Sequence, residues 1–294
     1  MIAEKRKGPI FMILASIMWS FGGVLIKSIP WGAMSIIGLR ALFAAGVFAI
    51  YRRSLKIEFT RGNVLAALCL SATIILFVFA NKLTTAAAAI LLQFCAPVFI
   101  LLIEFIFYRK KPRISSIIAV TVTILGMLLF FADRLEAGNM LGNILAIGSG
   151  ISFAGVFVCN KRDDTDPSQS LFIGFLINAI VGLPFVYFQV TANAVAWVAI
   201  IVLGIVQVGL AYVFFSIGIK KTSAFLACII TALEPVLNPL LVMIVTKETP
   251  GRFAIIGGAI IVLTVVGYNV WVERHTAKVS DEPETEERRR SANG

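Results

Sequence analysis

Residues 82–112 read "KLTTAAAAILLQFCAPVFILLIEFIFYRKKP", and residues 220–250 read "KKTSAFLACIITALEPVLNPLLVMIVTKETP". A displacement of 138 residues aligns the two stretches without a gap. The aligned identities include Lys82 and Lys220, Thr84 and Thr222, Ala86 and Ala224, Ala89 and Ala227, Pro97 and Pro235, Val98 and Val236, Ile106 and Ile244, and Pro112 and Pro250. A second match relates "SFGGV" at 20–24 to "SFAGV" at 152–156. We infer an internal repeat, because the agreement exceeds what shared hydrophobicity gives.

The composition is that of an integral membrane protein. The chain of 294 residues is 59% hydrophobic and 14% charged, and its mean hydropathy is +0.93. A helix needs about 20 apolar residues to cross the hydrocarbon, where no water can satisfy an open backbone. Ten such stretches occur, at approximately 9–28, 32–51, 63–80, 84–107, 114–132, 140–160, 170–190, 196–217, 222–246 and 253–272. The sequence therefore predicts an all-α membrane protein with ten transmembrane helices.

Each predicted half, residues 1–135 and residues 139–275, contains five of these stretches. Because five is odd, the second half must enter the membrane in the orientation opposite to the first. Inverted repeats are typical of alternating-access transporters, in which two similar halves exchange conformations around one site. We therefore expect two inverted five-helix repeats. Residues 276–294 have the composition of a disordered cytoplasmic tail.

The basic residues are distributed unevenly about the predicted spans. With a cytoplasmic N-terminus, twenty of the 26 Lys and Arg residues lie on the cytoplasmic side and five on the opposite side, with Arg40 left inside a span. This asymmetry follows the positive-inside rule and predicts a multi-pass protein of the cell (inner or plasma) membrane with both termini in the cytoplasm. The net charge of +10 thus orients the chain and requires no nucleic acid partner.

Residues that would indicate an enzyme are sparse. The four cysteines lie inside predicted spans without paired spacing, which favours small apolar side chains over a metal or redox role. His275, the only histidine, follows the last span, and no ATP-binding loop GxxxxGK followed by Ser or Thr occurs. We expect no metal, no cofactor and no catalytic residue. A membrane-embedded enzyme or receptor is a remote alternative.

Four polar or amphipathic side chains share one depth in the predicted bilayer. At about 1.5 Å per residue, Trp19, Gln93, Gln207 and Glu234 lie about 14 to 18 Å from one end of their spans, which is the midplane. Spans 4 and 9 are repeat partners, so they should face each other across a pseudo-two-fold axis. Since a polar side chain in hydrocarbon needs a partner or a cavity, this convergence predicts a substrate site.

Span 9 contains the one carboxylate of this group. Thr231, Glu234 and Asn238 follow an i, i+3, i+7 pattern and form a polar stripe. Pro235 and Pro239 cannot donate to the carbonyls four residues before them, so the helix offers under-bonded carbonyls beside a carboxylate and an amide. Together these groups could coordinate a cation or a substrate ammonium. The alternative is that the proline only kinks the helix while Glu234 pairs with another buried group.

Two more side chains belong to the predicted site or its surroundings. Tyr212 on span 8 is a candidate substrate contact, and with Trp19 it could form an aromatic box for a cation. Arg40 lies about 12 Å inside span 2 and needs a partner. Structural pairing of Arg40, for example with Glu234, is favoured over contact with the substrate.

Four segments from the two halves are distinctive: "RALFAAGVFAIYRR" (40–53), "NKLTTAAAAILLQFCAPVFILL" (81–102), "SFAGVFVCNKR" (152–162) and "EPVLNPLLVMIVTKETPGRFAIIGGAIIVL" (234–263). They resemble the EamA family of the drug/metabolite transporter superfamily. The positions that match the family's pattern are Arg40, Pro97, Glu234, Pro235 and Glu248. Lys110 stands where the first half would carry the counterpart of Glu248, so the halves differ there. The resemblance implies ten helices, a central cavity lined chiefly by spans 3, 4, 8 and 9, and transport of small metabolites, often export of amino acids.

The sequence as a whole favours a secondary active transporter that exports amino acids or related small polar metabolites. Glu234 is the candidate for coupling to a proton or cation. Uptake of a cationic compound such as a quaternary amine is the alternative. The expected partners are a small-molecule substrate and the lipid bilayer, with the chain acting as a monomer or homodimer.

Overall fold

The computed structural model describes residues 2–21, 25, 29–84, 86–132, 139–237 and 251–292. Every regular element in these ranges is a helix. The helices are α1 (Ile2–Ser20), α2 (Ala33–Arg52), α3 (Arg61–Leu83), α4 (Ala86–Gln93), α5 (Ala96–Tyr108), α6 (Ile114–Phe130), α7 (Met140–Cys159), α8 (Pro167–Gln189), α9 (Ala194–Val202), a π-helix (Leu203–Leu210), α10 (Ala211–Lys221), α11 (Ala224–Thr231) and α12 (Arg252–Ala292).

Seven helical segments of the described chain are long and apolar enough to cross a membrane. Three shorter apolar helices, Lys7–Ser20, Ile114–Phe130 and Ala224–Leu237, coincide with three further predicted stretches. The prediction of an all-helical membrane protein is confirmed. The exact count of ten crossings stays a prediction.

The helix contacts occur in pairs that a two-fold axis would relate. Helix α2 packs on α8, and α6 packs on α12, and each of these pairs joins repeat partners. Each of the other main interfaces has an equivalent interface in which the roles of the two halves are exchanged. The contact of α3 with α7 corresponds to that of α10 with α1, and the contact of α3 with α8 corresponds to that of the π-helix with α2. This pattern is the one expected of two repeats around a pseudo-two-fold axis.

The repeat partners α2 and α8 run antiparallel. Near the start of α2, Gly38 meets Gly182 of α8, and near its end Phe48 packs against Phe175 with ring centroids 5.5 Å apart. Residue numbers thus rise along one helix as they fall along the other. Equivalent helices of an inverted repeat run antiparallel, so this arrangement is the one that the odd number of predicted spans requires. The inversion of the whole second half stays a prediction.

The last helix is longer than the sequence predicts. Helix α12 continues to Ala292, through most of the segment for which composition predicts a disordered tail. Glu and Arg are abundant there, and both have high helix propensity. Composition indicates the lack of an apolar face in this segment, but it does not decide between helix and coil.

Candidate functional site

Spans 4 and 9 break at aligned positions. Helix α4 ends at Gln93 and α5 begins at Ala96. In the second half, 138 positions later, the residues aligned with these two are Thr231 and Glu234. Helix α11 ends at Thr231, and the chain is helical again at 234–237. Each half therefore supplies one interrupted helix, and the interruptions lie at the aligned prolines Pro97 and Pro235.

The backbone hydrogen bonds at the two breaks are also equivalent. The Cys95 amide donates to the Leu92 carbonyl at 3.3 Å, and the aligned Leu233 amide donates to the Ile230 carbonyl at 3.1 Å. These are bonds to the third preceding residue, tighter than an α-helical turn. A proline follows two residues later in each half and lacks the amide that would continue the helix.

Trp19, Tyr212 and Gln207 come together across the two halves. The ring centroids of Trp19 and Tyr212 are 4.8 Å apart with an angle of 55° between the planes. The Gln207 Nε2 donates to the backbone carbonyl of Trp19 at 2.8 Å. These contacts join the end of α1 to span 8, so residues from the two halves meet as the predicted site requires.

Two buried polar atoms in this group are without hydrogen-bond partners among the residues that the structure describes. They are the Trp19 Nε1, a donor, and the Gln207 Oε1, an acceptor. Both side chains are more than nine-tenths buried. Since buried polar groups are almost always paired, the two atoms are available to a polar molecule that enters the centre.

Arg40 and Glu234 contribute opposite charges at the same place. Each is half-buried, and their charges interact with each other and with the Tyr212 hydroxyl. The ion pairs within the described ranges lie at the loops, so Arg40 and Glu234 attract each other without a direct ion pair. We call Trp19, Arg40, Gln207, Tyr212 and Glu234 the central cluster.

Gln207 is presented by the π-helix Leu203–Leu210, an element that the sequence did not predict. Its glycines lie against α2: a β-carbon at Gly204 would be 2.6 Å from that of Phe43, and one at Gly209 would be 2.8 Å from Val47. This close packing fixes the π-helix on the helix that carries Arg40. π-Helical turns are rare and occur frequently at functional sites.

The other predicted site residues are placed differently. The Gln93 Nε2 donates to the Ser149 Oγ at 2.8 Å, and Ser149 in turn donates to the Thr73 carbonyl at 2.9 Å. Thr231 has no exposed surface, and its hydroxyl donates within its own helix. Both polar groups are therefore engaged by the protein in this conformation. Asn238 lies outside the described residues.

Asn178 is a buried polar residue that sequence reasoning missed. Its side chain has no exposed surface, and neither its Oδ1 nor its Nδ2 has a partner in the described ranges. It lies on α8 only three residues from Phe175, whose ring contacts Tyr212. The same depth estimate could have found it, because Asn178 lies about 17 Å from the start of α8.

A separate polar cleft of about 420 Å³ lies at the loops. It is lined by Tyr51, Arg52, Ser54, Lys56, Glu58, Asp166, Ser168 and Gln169. Burial raises the pKa of Asp166, but hydrogen bonds from Lys220 and Ser168 outweigh it and hold that pKa below its usual value. Lys220 pairs with Asp166 at 3.1 Å. Within the described ranges, no three His, Cys, Asp or Glu side chains come together as metal ligands.

Known proteins similar to this chain are transporters by name. An "Uncharacterized transporter" of Archaeoglobus fulgidus is 26% identical over 265 residues, which are 89% of this chain and 96% of that protein. Of two Bacillus subtilis proteins, "Uncharacterized transporter YwfM" is 24% identical over 79% of this chain and 83% of its own length. "Uncharacterized transporter YxxF" is 24% identical over 67% of this chain and 65% of its own length.

A solved structure confirms the fold. A crystal structure titled only as that of a protein superposes with a TM-score of 0.78 at 19% identity, over 91% of this chain and 98% of that one. The model of the EamA-like transporter family matches twice, at residues 6–132 and 140–270. The two matches cover the two predicted halves of the chain, residues 1–135 and 139–275. The chain is therefore a membrane transporter that belongs to the EamA-like transporter family.

Proposed function

We propose that the chain is a secondary active exporter of amino acids or related small zwitterions, with Glu234 as its coupling group. The observation that carries this proposal is that Arg40 and Glu234, one from each half, lie near enough in the central cluster for their opposite charges to interact. A zwitterion brings one charge of each sign to this pair. A ligand with a single charge would leave one of the two without a counterpart in a region of low dielectric constant.

The unpaired atoms of the central cluster match the same ligand. A substrate carboxylate bound at Arg40 would accept from the Trp19 Nε1, and a substrate ammonium bound at Glu234 would donate to the Gln207 Oε1. The two broken helices would let the halves rock around this point, so that the site opens to one side at a time.

Glu234 offers a simple means of coupling. A carboxylate cannot hold a substrate ammonium and a proton at the same time, so the two compete for it. If the proton binds on the outside after the substrate has left, the inward proton gradient drives export. This direction assumes the orientation that the basic residues predict, with both termini in the cytoplasm of a cell membrane.

Uptake of a quaternary amine is a second candidate. The contact between the Trp19 and Tyr212 rings favours it, because aromatic faces attract organic cations. The charge of Arg40 beside Tyr212 opposes it. A cation competes with the zwitterion for the same cluster, and the two hypotheses can be compared in one assay.

The test is flux of radiolabelled amino acids into liposomes that contain the purified chain, with choline as the cationic probe. We expect amino-acid flux that depends on the proton gradient, and we expect Glu234→Gln to abolish that dependence. Glu104→Gln is the matched control, since Glu104 lies near the end of α5 and away from the central cluster. Unchanged flux and pH dependence in Glu234→Gln would remove Glu234 from the mechanism. Flux of choline alone would favour the second candidate.

A further inference from the structure

The polar cleft of about 420 Å³ lies between the two halves, on the predicted cytoplasmic side. The first half lines it with residues from the end of α2 and from the loop that follows, and the second half with residues from the start of α8. Its volume is within the range of about 300 to 1,000 Å³ that is usual for ligand pockets. Because the lining is polar and charged, the cleft fits a polar ligand.

Arg52 brings an unpaired hydrogen-bond donor to this cleft. Its guanidinium carbon lies 4.8 Å from the centre of the Phe172 ring, and its Nη2 donates to the Lys56 carbonyl. These two contacts hold the guanidinium in place. The Nη1 is buried and has no hydrogen-bond partner among the residues that the structure describes. Since buried polar groups are almost always paired and this one is charged, the position suits an anionic group.

The other charged groups of the cleft are of both signs. The Lys56 Nζ lies 3.8 Å from the Glu58 Oε1, and the two side chains are 78% and 56% exposed, so this pair is loose. Asp166, by contrast, accepts from the Lys220 Nζ at 3.1 Å. A ligand with only a negative charge would meet the Glu58 carboxylate, and one with only a positive charge would meet Arg52. A ligand that carries both charges matches the cleft.

The loop beside the cleft has an apolar face. Ser54, Lys56 and Glu58 line the cleft, whereas Leu55 and Phe59, which alternate with them, are each 73% exposed. This loop follows directly on α2, a helix that is long and apolar enough to cross the membrane. Apolar side chains with such exposure are stable against lipid and unfavourable in water. This places the loop at the bilayer surface and the cleft at the depth of the lipid headgroups.

We propose that the polar cleft binds a phospholipid headgroup that carries a phosphate and a primary ammonium, as phosphatidylethanolamine does. The phosphate accepts from Arg52 and Lys56, and the ammonium donates to Glu58. A guanidinium presents its donors in a fork that matches a phosphate. The acyl chains extend along the exposed apolar side chains of Ile50 and Leu55. Free phosphoethanolamine has the same headgroup chemistry, but it has no use for this apolar surface.

The test is lipid binding by the purified full chain in detergent, measured by native mass spectrometry and by thermal unfolding. We expect phosphatidylethanolamine to bind more tightly than phosphatidylglycerol, which has the phosphate without the ammonium. Phosphatidylethanolamine should also raise the Tm, because a ligand that binds the folded chain stabilises it. Equal binding of the two lipids would overturn the proposal. A rise in Tm with soluble phosphoethanolamine as large as that with the lipid would overturn the choice of a lipid.

Two variants test the assigned contacts. Arg52→Gln removes a charged donor to the phosphate and should weaken phosphatidylethanolamine binding about tenfold or more. Arg61→Gln is the matched control, because Arg61 is an exposed residue at the start of α3 that does not line the cleft, and it should bind the lipid as the wild-type chain does. Glu58→Gln should bring phosphatidylglycerol binding up towards that of phosphatidylethanolamine, a gain that misfolding cannot produce. An unchanged lipid preference in either cleft variant would overturn the proposal.

Discussion

The contact between Gly38 and Gly182 gives the sharpest test of the inverted-repeat architecture. A β-carbon at Gly38 would lie 2.5 Å from the Gly182 carbonyl carbon and 2.6 Å from the Leu183 amide nitrogen. These are backbone atoms, which cannot rotate away as the end of a side chain could. The substitution Gly38→Ala should therefore force α2 and α8 apart.

The magnitude follows from the overlap. Non-bonded heavy atoms prefer separations of about 3.5 to 4.0 Å, so the new methyl group would overlap the backbone of α8 by about 1 Å. Overpacking of this kind costs about 1 to 3 kcal/mol. Alanine gains up to about 1 kcal/mol over glycine in a helix, which offsets part of the cost. For a chain of this size each net kcal/mol lowers the Tm by about 2 to 4 °C.

The assay is thermal unfolding of the purified chain in detergent. Gly46→Ala is the matched control, because Gly46 lies on the same helix and its β-carbon would meet nothing within 4 Å. We expect Gly38→Ala to lower the Tm and Gly46→Ala to leave it unchanged or raise it. Equal Tm values for the two variants would refute the close contact of α2 with α8, and with it this part of the repeat geometry.

Two further predictions concern hydrogen bonds between polar side chains. The hydrogen bond from Arg162 is the main cause that holds the pKa of Asp164 below its usual value. The ionised Asp164 carboxylate therefore stabilises the folded chain above about pH 4, and this stabilisation is lost as the pH falls through the lowered pKa. Lowering the pH below about 4 should lower the Tm of the wild-type chain more than that of Asp164→Asn. The control Asp163→Asn should lose as much Tm as the wild-type chain. An equal loss of Tm in all three would contradict a role for Asp164. For Gln93 and Ser149, a double-mutant cycle with alanine, followed by unfolding in mixed micelles, should give a coupling of about 0.6 kcal/mol, and additive effects would argue against their hydrogen bond.

Much of the fold could be predicted because the bilayer limits the choices. Backbone groups in hydrocarbon must be satisfied within a helix, so long apolar stretches become helices whatever their neighbours are. The breaks of spans 4 and 9 were equally predictable, since a proline removes its amide wherever it lies. The π-helix at Gln207 could not be predicted, because it depends on how Gly204 and Gly209 pack against α2.

The candidate site was predicted less completely for a physical reason. Depth along a helix can be counted from sequence, and this placed Trp19, Gln207 and Glu234 at one level. The direction in which a side chain points around the helix axis cannot be read from the sequence in the same way, because it depends on how the helix packs against its neighbours. Gln93 therefore shared the predicted depth but bonds to Ser149, and Asn178 was overlooked although its depth is the same.

By itself the sequence determined that this chain is helical and lies in a membrane, that it contains two related halves, and that a carboxylate lies at mid-depth next to a proline. These properties depend on composition, on spacing and on residue chemistry, each of which is local to the chain. Only the tertiary structure decided which residues meet: Trp19 with Tyr212, Gly38 with Gly182, and Gln93 with Ser149. Such meetings depend on how helices distant in sequence rotate and pack against one another, which no single segment specifies.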